Sequence, residues 1–196
     1  MNQDKAPLSV SQKPHDGRRE TICVSDAITL EVIQPSMASE LFDLIQCNQE
    51  RLSHFLAWPK QVMSVEDTQA FIRQQSADHH RGVSKTYTII VQGRVSGIIS
   101  FNAIDSAHQT TTIGYWIDGP LEGKGVVSAA LNKLIEIYSQ RGILRKFIIN
   151  CSVTNRKSNA LALRNGFHFT EVIKQAEQMT GEVIDHNSYA KVIEGL

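Results

Sequence analysis

The sequence has little of the features that mark specialised classes of protein. Its three cysteines, Cys23, Cys47 and Cys151, lie far apart, which excludes a disulfide framework and gives no zinc-type spacing. No apolar run approaches the roughly 18–20 residues that a membrane-spanning helix needs. Neither sign of charge is in excess, because 20 Lys and Arg residues balance 20 Asp and Glu residues. This balance argues against a general nucleic-acid-binding protein, which usually carries a strong basic excess.

The remaining composition is that of one ordinary domain. The chain has 196 residues, of which 41% are hydrophobic, and this is enough for a single sizeable core. Residues 1–24 mix Pro, Gly, Ser and Gln with both signs of charge, so they predict a flexible arm rather than a secretory signal. We therefore expect a cytosolic protein whose single domain spans residues 25–196.

Local residue patterns predict the order of strands and helices. Strands are predicted where β-branched and apolar residues alternate with polar ones, and helices where apolar residues recur three and four positions apart. Gly93-Arg94 predicts a tight hairpin, and Ser64 followed by Asp67 is a helix-capping signature. In chain order the predicted elements are a strand at residues 27–33, helices at 35–45, 49–56 and 64–80, strands at 86–92, 95–104 and 110–118, a helix at 126–140, a strand at 147–153, a helix at 156–165 and a hairpin of strands at 167–178 and 183–193. This order indicates one mixed α/β layer domain.

The most informative stretch, residues 115–128, reads as a strand, a glycine-rich turn and the start of a long helix. Gly123 and Gly125 allow backbone conformations that expose consecutive N–H groups, and the helix N-terminus adds its dipole, so the turn is suited to bind phosphate. A Walker loop is excluded because only three residues follow Gly119 before the Gly-Lys pair. A Rossmann fingerprint is excluded because Ser128 stands where Gly or Ala is needed, after antiparallel strands. An ordinary strand-to-helix turn remains the alternative.

Two segments together resemble a known family. Glu122-Gly123-Lys124-Gly125-Val126 and residues 155–167, with their Asn-x-x-Ser and Gly-Phe pattern, closely resemble the acetyl-CoA site of the GNAT N-acetyltransferase superfamily. The resemblance covers about residues 25–193 and is nearest to the ribosomal-protein-serine acetyltransferases of the RimL type, through residues 54–59, 97–102, 113–117 and 174–177. It implies a GNAT-type α/β fold: a mixed, mostly antiparallel central sheet, helices on both faces and a splayed strand pair that holds acetyl-CoA.

The resemblance assigns acetyl-CoA binding to the glycine turn and its neighbours. The residues implied are Tyr115, Trp116, Ile117, Glu122, Gly123, Lys124, Gly125, Val126, Val127, Ser128, Asn155 and Asn159. A backbone N–H near Trp116 or Ile117 would stabilise the oxyanion that develops during acetyl transfer. The turn departs from the family pattern at Glu122, where Gln or Arg is usual, and a small residue often stands in place of Val127. A carboxylate beside a pyrophosphate is unfavourable unless it points away.

Catalytic and acceptor-binding roles also follow from the resemblance. Glu177 is expected to be the general base, and an exposed hairpin glutamate is the alternative. Ser158 is expected to be the general acid toward the CoA thiolate; alternatively it is only a polar residue in the first helical turn, and water protonates the thiolate. Trp58 and His54 are expected to line the acceptor site, although Trp58 could equally belong to the core. No metal is expected.

Three functions are compatible with these residues. The nearest resemblance implies acetylation of the N-terminal serine of an acidic ribosomal stalk protein. Acetylation of a small amine, such as an antibiotic, a polyamine or an aminoacyl-nucleotide toxin, is the second, because fold does not fix substrate. A CoA-binding sensor module without turnover is the third. A homodimer is implied by analogy with the resembling group only.

The charges are unevenly divided along the chain. Residues 119–174 carry nine Lys and Arg residues against three Glu residues, whereas the remainder carries 11 basic and 17 acidic residues. The basic part suits the phosphates of CoA, and the acidic remainder suits a cationic amine acceptor. An acidic protein partner fits this division less well.

Overall fold

Eight strands and four α-helices form the part of the chain that the structure, a computed structural model, describes, which is residues 20–179 and 181–194. The strands are β1 Thr21–Ser25, β2 Ile28–Val32, β3 Lys85–Val91, β4 Arg94–Asp105, β5 Thr110–Ile117, β6 Lys146–Ser152, β7 His168–Met179 and β8 Glu182–Val192. The helices are α1 Ala38–Leu52, α2 Val65–His80, α3 Val126–Gln140 and α4 Arg156–Arg164. All strands join one sheet in the order β1-β2-β3-β4-β5-β6-β8-β7.

The sheet opens between its two central strands. Every described pair of neighbouring strands is antiparallel except β5 and β6, which run parallel. Their pairing covers only Thr110–Thr112 against 146–148, although β5 continues to Ile117 and β6 to Ser152. The two strands therefore diverge toward their carboxyl ends. The mixed sheet and its splayed pair confirm the predicted fold class.

Helices cover both faces of the sheet because the central strands are apolar on both sides. On one face, α3 and α4 pack over a core that includes Ile99 and Leu134. On the other face, α1 and α2 pack over a second core that includes Ile98 and Trp116. Adjacent residues of a strand point to opposite faces, so Ile98 and Ile99 contribute to different cores.

Two predicted boundaries are corrected by the structure. The two short helices predicted over residues 35–45 and 49–56 are one helix, α1, preceded by a single 3-10 turn. Its middle contains neither Gly nor Pro, and buried Asn48 keeps its side chain hydrogen-bonded inside the helix–sheet contact. The tight hairpin turn lies at Gln92-Gly93 rather than Gly93-Arg94, because Gln92 and Gly93 both have positive φ, as a two-residue hairpin turn requires.

The predicted arm is shorter than residues 1–24. Residues 1–19 lie outside the described residues, but Thr21–Ser25 form strand β1, paired with β2. These residues join the sheet because the side chains of β1 alternate between its two faces, which places Ile22 in the core beneath α3. No helix among residues 20–179 and 181–194 is long and apolar enough to cross a membrane.

Candidate active site

The glycine turn between β5 and α3 directs a row of backbone N–H groups into open space. Gly123 and Gly125 have φ of +73° and +79°, and a Cβ atom at either would meet nothing within 4 Å. Among the described residues, the N–H groups of Gly123, Gly125 and the next three residues, 126–128, have no hydrogen-bond acceptor. The first turn of a helix lacks preceding carbonyl groups, so these donors are available to an anion.

Glu122 begins this turn, and two cationic side chains hold its carboxylate. Oε1 accepts a hydrogen bond from Arg51 Nη1 of α1, and Oε2 accepts one from Lys157 Nζ of α4. The carboxylate therefore pairs with two cations beside the glycine turn, and its single negative charge offsets one of their two positive charges. It also links α1 to α4 through the turn.

A buried asparagine fixes the end of β5 against α1. Asn48 is 5% exposed, and its Nδ2 donates to Asp118 Oδ1 at 2.8 Å. Its Oδ1 accepts from the Gly119 N–H at 2.9 Å and from Arg51 Nη2 at 2.8 Å. Arg51 Nη2 also donates to the Ile117 carbonyl at 2.5 Å. This network holds the start of the turn and the last residues of β5 in one position.

The strand end leaves one backbone donor directed into the opening of the sheet. The Asp118 N–H donates to Ser96 on the β4 side at 2.7 Å. Because adjacent residues of a strand direct their N–H groups to opposite edges, the Ile117 N–H points to the β6 side. At Ile117, β5 no longer pairs with β6. An N–H in this position is suited to bind a carbonyl oxygen that becomes negatively charged.

The first turn of α4 places the Ser158 hydroxyl next to Tyr115 of β5, across the opening between β5 and β6. Asn155 caps the helix, since its Oδ1 accepts from the Ser158 N–H at 3.1 Å. The Ser158 and Tyr115 hydroxyls are 2.7 Å apart. Burial raises the pKa of Tyr115 to about 12, although the hydrogen bond with Ser158 lowers it in part. Burial also raises the pKa of the Cys151 thiol. The Tyr115 hydroxyl and the Cys151 thiol therefore both keep their protons at neutral pH.

Asn159 has its side chain fully engaged within the protein. Its Nδ2 donates to the Ser152 carbonyl at 2.9 Å and to the Asn155 carbonyl at 2.7 Å. Its Oδ1 accepts from Asn187 Nδ2 and from the Tyr189 hydroxyl, each at 2.7 Å. Asn159 therefore joins α4 to β6 and β8, and its side chain supports the site rather than offering free donors.

Glu177 lies on β7 next to an irregularity that changes the direction of the strand. The pairing of β7 with β8 shifts register between Ile173 and Glu177, and Gln175 within that interval has a φ of +53°. Such bulges commonly reorient a side chain beside an active site. Glu177 Oε1 accepts from the Ala57 N–H at 3.2 Å, and its Oε2 lies 3.3 Å from His186 Nε2. The carboxylate thus faces the segment that carries Trp58.

The two aromatic rings nearest this segment come from different elements. Trp58 and Trp116 have ring centroids 6.2 Å apart, and both pack with the core beneath α1 and α2. Trp58 is only partly buried: it contacts the core, and it follows Ala57, whose N–H contacts Glu177. His54 lies just after the end of α1, where its Nδ1 contacts the Glu50 carbonyl. Its ring and Arg51 line an outer groove of that helix.

Within the described ranges, no group of three His, Cys, Asp or Glu side chains is placed to hold a metal ion. His79 and His80 have ring centroids 6.0 Å apart at the end of α2.

Comparison with known proteins assigns this arrangement to a family. A model of the acetyltransferase (GNAT) domain matches residues 28–168. The chain is 40% identical over 175 residues to the ribosomal-protein-serine acetyltransferase of Escherichia coli, which covers 89% of this chain and 98% of that protein. This chain belongs to the GNAT acetyltransferase family. It is an acetyltransferase, as the glycine turn and the Asn-x-x-Ser helix predicted.

Solved structures of GNAT relatives match most of this chain. The ribosomal L7/L12 α-N-protein acetyltransferase RimL, solved with coenzyme A, has a TM-score of 0.86 and 38% identity, and covers 89% of this chain and 98% of its own. The microcin C7 self-immunity acetyltransferase MccE, solved with acetyl-CoA and AMP, has a TM-score of 0.85 and 40% identity, and covers 87% and 94%. Both are similar to this GNAT chain, and their ligands differ.

Three residues of the site were not found from the sequence. Asn48 could have been noticed, because it occupies the apolar stripe that Leu41, Ile45 and Leu52 define at helical spacing. Arg51 gives no local signal, since its partners lie 66 and 71 residues away. His186 gives none either, because one histidine in an alternating strand is unremarkable.

Proposed function

We propose that this acetyltransferase moves the acetyl group of acetyl-CoA to a primary amine, and that its acceptor is the N-terminal α-amine of a serine in a ribosomal protein. The observation that carries the donor assignment is the row of five unengaged N–H groups beside strands that stop pairing. The acceptor assignment is supported by 40% identity over nearly the whole length of the ribosomal-protein-serine acetyltransferase.

The donor would bind along the opening between β5 and β6. The N–H groups of Gly123, Gly125 and residues 126–128 fit a pyrophosphate, and the absence of any atom near a glycine Cβ position leaves space for it. Unpaired backbone groups on the splayed part of β5 fit the amides of an extended pantetheine, as in strand addition. Lys124 adds positive charge to the turn. Acetyl-CoA supplies the thioester whose carbonyl carbon the amine attacks.

Glu177 would act as the general base. An α-amine has a pKa near 8, so at neutral pH Glu177 has to remove one proton from the ammonium group, directly or through a water, before attack. A second proton leaves the nitrogen once the new C–N bond has formed. The Ile117 N–H would stabilise the negative charge on the carbonyl oxygen during this step.

Ser158 would return a proton to the sulfur when the C–S bond breaks. Its hydroxyl lies 2.7 Å from the Tyr115 hydroxyl, which can replace the proton that Ser158 gives up. In the RimL relative, coenzyme A is linked to a cysteine by a disulfide. Among the described cysteines, Cys151 is the buried one, and Ser158 contacts it. If the sulfur of coenzyme A lies near Cys151, it would therefore also lie near Ser158.

The test of this proposal is acetyl transfer to peptides that begin with serine. Wild-type protein, the Glu177→Gln variant and the Glu171→Gln variant, which changes an exposed glutamate of the same strand, are compared by release of free thiol. Loss of general-base catalysis should lower kcat/KM of Glu177→Gln by about 10²-fold or more, while Glu171→Gln stays near wild type. Unchanged kcat/KM in Glu177→Gln would show that the base is another group.

An aminoacyl nucleotide is the second candidate acceptor. It is favoured by the similarity to MccE, whose structure contains acetyl-CoA and AMP. Isotopically labelled acetyl-CoA, incubated with the enzyme and cell lysate, separates the two candidates. Label on a protein N-terminus supports the ribosomal acceptor, and label confined to small molecules supports the nucleotide or another small amine. Tight acetyl-CoA binding without transfer to any acceptor would instead favour a sensor.

Three further expectations stay predictions. A ribosomal acceptor implies a cytoplasmic location. With the boundary moved ahead of β1, the assignment of the chain from about Glu20 onward to one domain awaits a truncation that begins near Glu20. A homodimer is compatible with the exposed edge strand β7, which presents Phe169 and Val172 to solvent. Light scattering of the purified protein measures the oligomeric state.

A further inference from the structure

His186 is a polar side chain, 16% exposed, that the chemistry described above does not use. Its Nε2 is inaccessible to solvent and has no well-formed hydrogen bond within the described residues. The nearest charged atom is Glu177 Oε2, at 3.3 Å. Burial of an unsatisfied ring nitrogen is unfavourable, so a group in this position calls for an explanation.

The strand positions show why His186 faces Glu177. His186 is the first residue of β8 that pairs with β6, and it lies opposite Ser152, the last residue of β6. Asn187 contacts Asn159 of α4. Because adjacent strand residues face opposite sides, His186 faces away from α4 and toward the side on which Glu177 contacts Ala57.

Among residues 20–179 and 181–194, Glu177 is the one charged partner within ion-pair distance of the ring. Glu177 approaches from β7, and from β6 the opposing residue is Ser152, whose hydroxyl is 2.9 Å from the Thr154 hydroxyl. A ring nitrogen without a proton would place its lone pair against a carboxylate, which is repulsive. The tautomer with its proton on Nε2 avoids this repulsion and offers Oε2 a donor at 3.3 Å.

We propose that His186 is a positioning residue for Glu177: its Nε2–H holds Oε2 while the Ala57 N–H holds Oε1, and the carboxylate is thereby fixed toward the acceptor amine. Each carboxylate oxygen keeps further lone pairs, so the held carboxylate can still accept a proton. The 3.3 Å separation shortens to a full hydrogen bond when the acceptor is in place, since catalytic hydrogen bonds are often long in free enzymes. This proposal rests on the proposed role of Glu177 as general base.

The experiment compares His186→Leu, which removes the donor, with His186→Gln, which keeps an N–H donor at similar reach. His168→Leu, at an exposed histidine of β7, is the matched control. Each variant is checked for a wild-type thermal transition, and kcat and both KM values are measured with acetyl-CoA and a serine-starting peptide. His186→Leu should lower kcat about tenfold and leave the KM for acetyl-CoA within about twofold, whereas His186→Gln should recover most of kcat.

A double variant separates positioning from a general effect on structure. If His186 acts through Glu177, adding His186→Leu to Glu177→Gln should lower kcat no further, because the two changes remove the same function. Independent, multiplying losses would overturn the proposal, as would a wild-type kcat in His186→Leu or a failure of His186→Gln to restore activity in a folded protein. If Glu177→Gln itself has no effect, the proposed base fails; if only His186→Leu has none, the base stands and the positioning role fails.

Discussion

Replacement of Glu122 by glutamine should strengthen the binding of coenzyme A. Glu122 begins the glycine turn, and its carboxylate is paired with Arg51 and Lys157. The substitution keeps the size of the side chain but removes one negative charge beside the proposed pyrophosphate site. It also releases two cations that can then attract the phosphates. An anion supplied by the protein itself competes with the ligand, and its removal should favour the ligand.

The magnitude follows from charge and exposure. A unit charge about 8 Å from each of two phosphate charges in a water-like dielectric costs roughly 1 kcal/mol in total. Lys157 is 80% exposed and Arg51 33% exposed, so each ion pair with Glu122 contributes only about 0.2–1 kcal/mol. The removed repulsion of about 1 kcal/mol corresponds to a Kd for CoA that is roughly fivefold lower at low ionic strength.

Isothermal titration with CoA measures this change without turnover. The titrations are made at low and at moderate NaCl, since screening should reduce the advantage of Glu122→Gln as ionic strength rises. Glu136→Gln is the matched control, because Glu136 lies on α3, pairs with Lys133 and is remote from the turn. Equal or weaker CoA binding by Glu122→Gln would refute the reasoning. The same gain in affinity in Glu136→Gln would show that only the net charge of the protein matters.

Two other changes test the leaving-group step and the pH dependence of stability. Ser158→Ala should lower kcat about tenfold with little change in the KM for acetyl-CoA, measured by thiol release; an unchanged kcat would mean that water protonates the thiolate. Burial alone would raise the pKa of Glu20, but hydrogen bonds and charge from Lys85 and a hydrogen bond from Tyr87 lower it below its ordinary value of 4.5. The stability that Glu20 contributes is present above pH 4.5 and disappears as the pH falls through the lowered pKa. In Glu20→Gln, the free energy of unfolding measured with urea should therefore fall less below pH 4.5 than it does in the wild type. The effect should stay below about 1 kcal/mol because Glu20 is 38% exposed; an unaltered pH profile would contradict it.

Much of the fold follows from local sequence patterns. Helix α3 matches its predicted bounds of 126–140, because its apolar stripe and flanking glycines are local signals. The capping box of Ser64 and Asp67 sets the start of α2 for the same reason. Strand β1 was missed because five residues with one core side chain carry too weak an alternation to be distinguished from a loop.

The glycine turn was the part of the site that could be predicted. Its function depends on backbone conformation, and the positions of Gly123 and Gly125 specify that conformation directly. The charge state of the turn could not be predicted, because it depends on side chains from α1 and α4. The sequence suggested only that the Glu122 carboxylate should avoid a phosphate, and the structure shows which cations take it up.

The sequence by itself determined the family, the order of elements and the conformation of the glycine turn, all of which rest on residues close together in the chain. Only the tertiary structure decided which distant side chains meet. The bulge at Gln175 turns Glu177 toward Ala57, 120 residues away, and the alternation of β8 places His186 against the same carboxylate. These contacts depend on strand register and on a local change in strand direction, and neither is encoded by the spacing of the residues concerned.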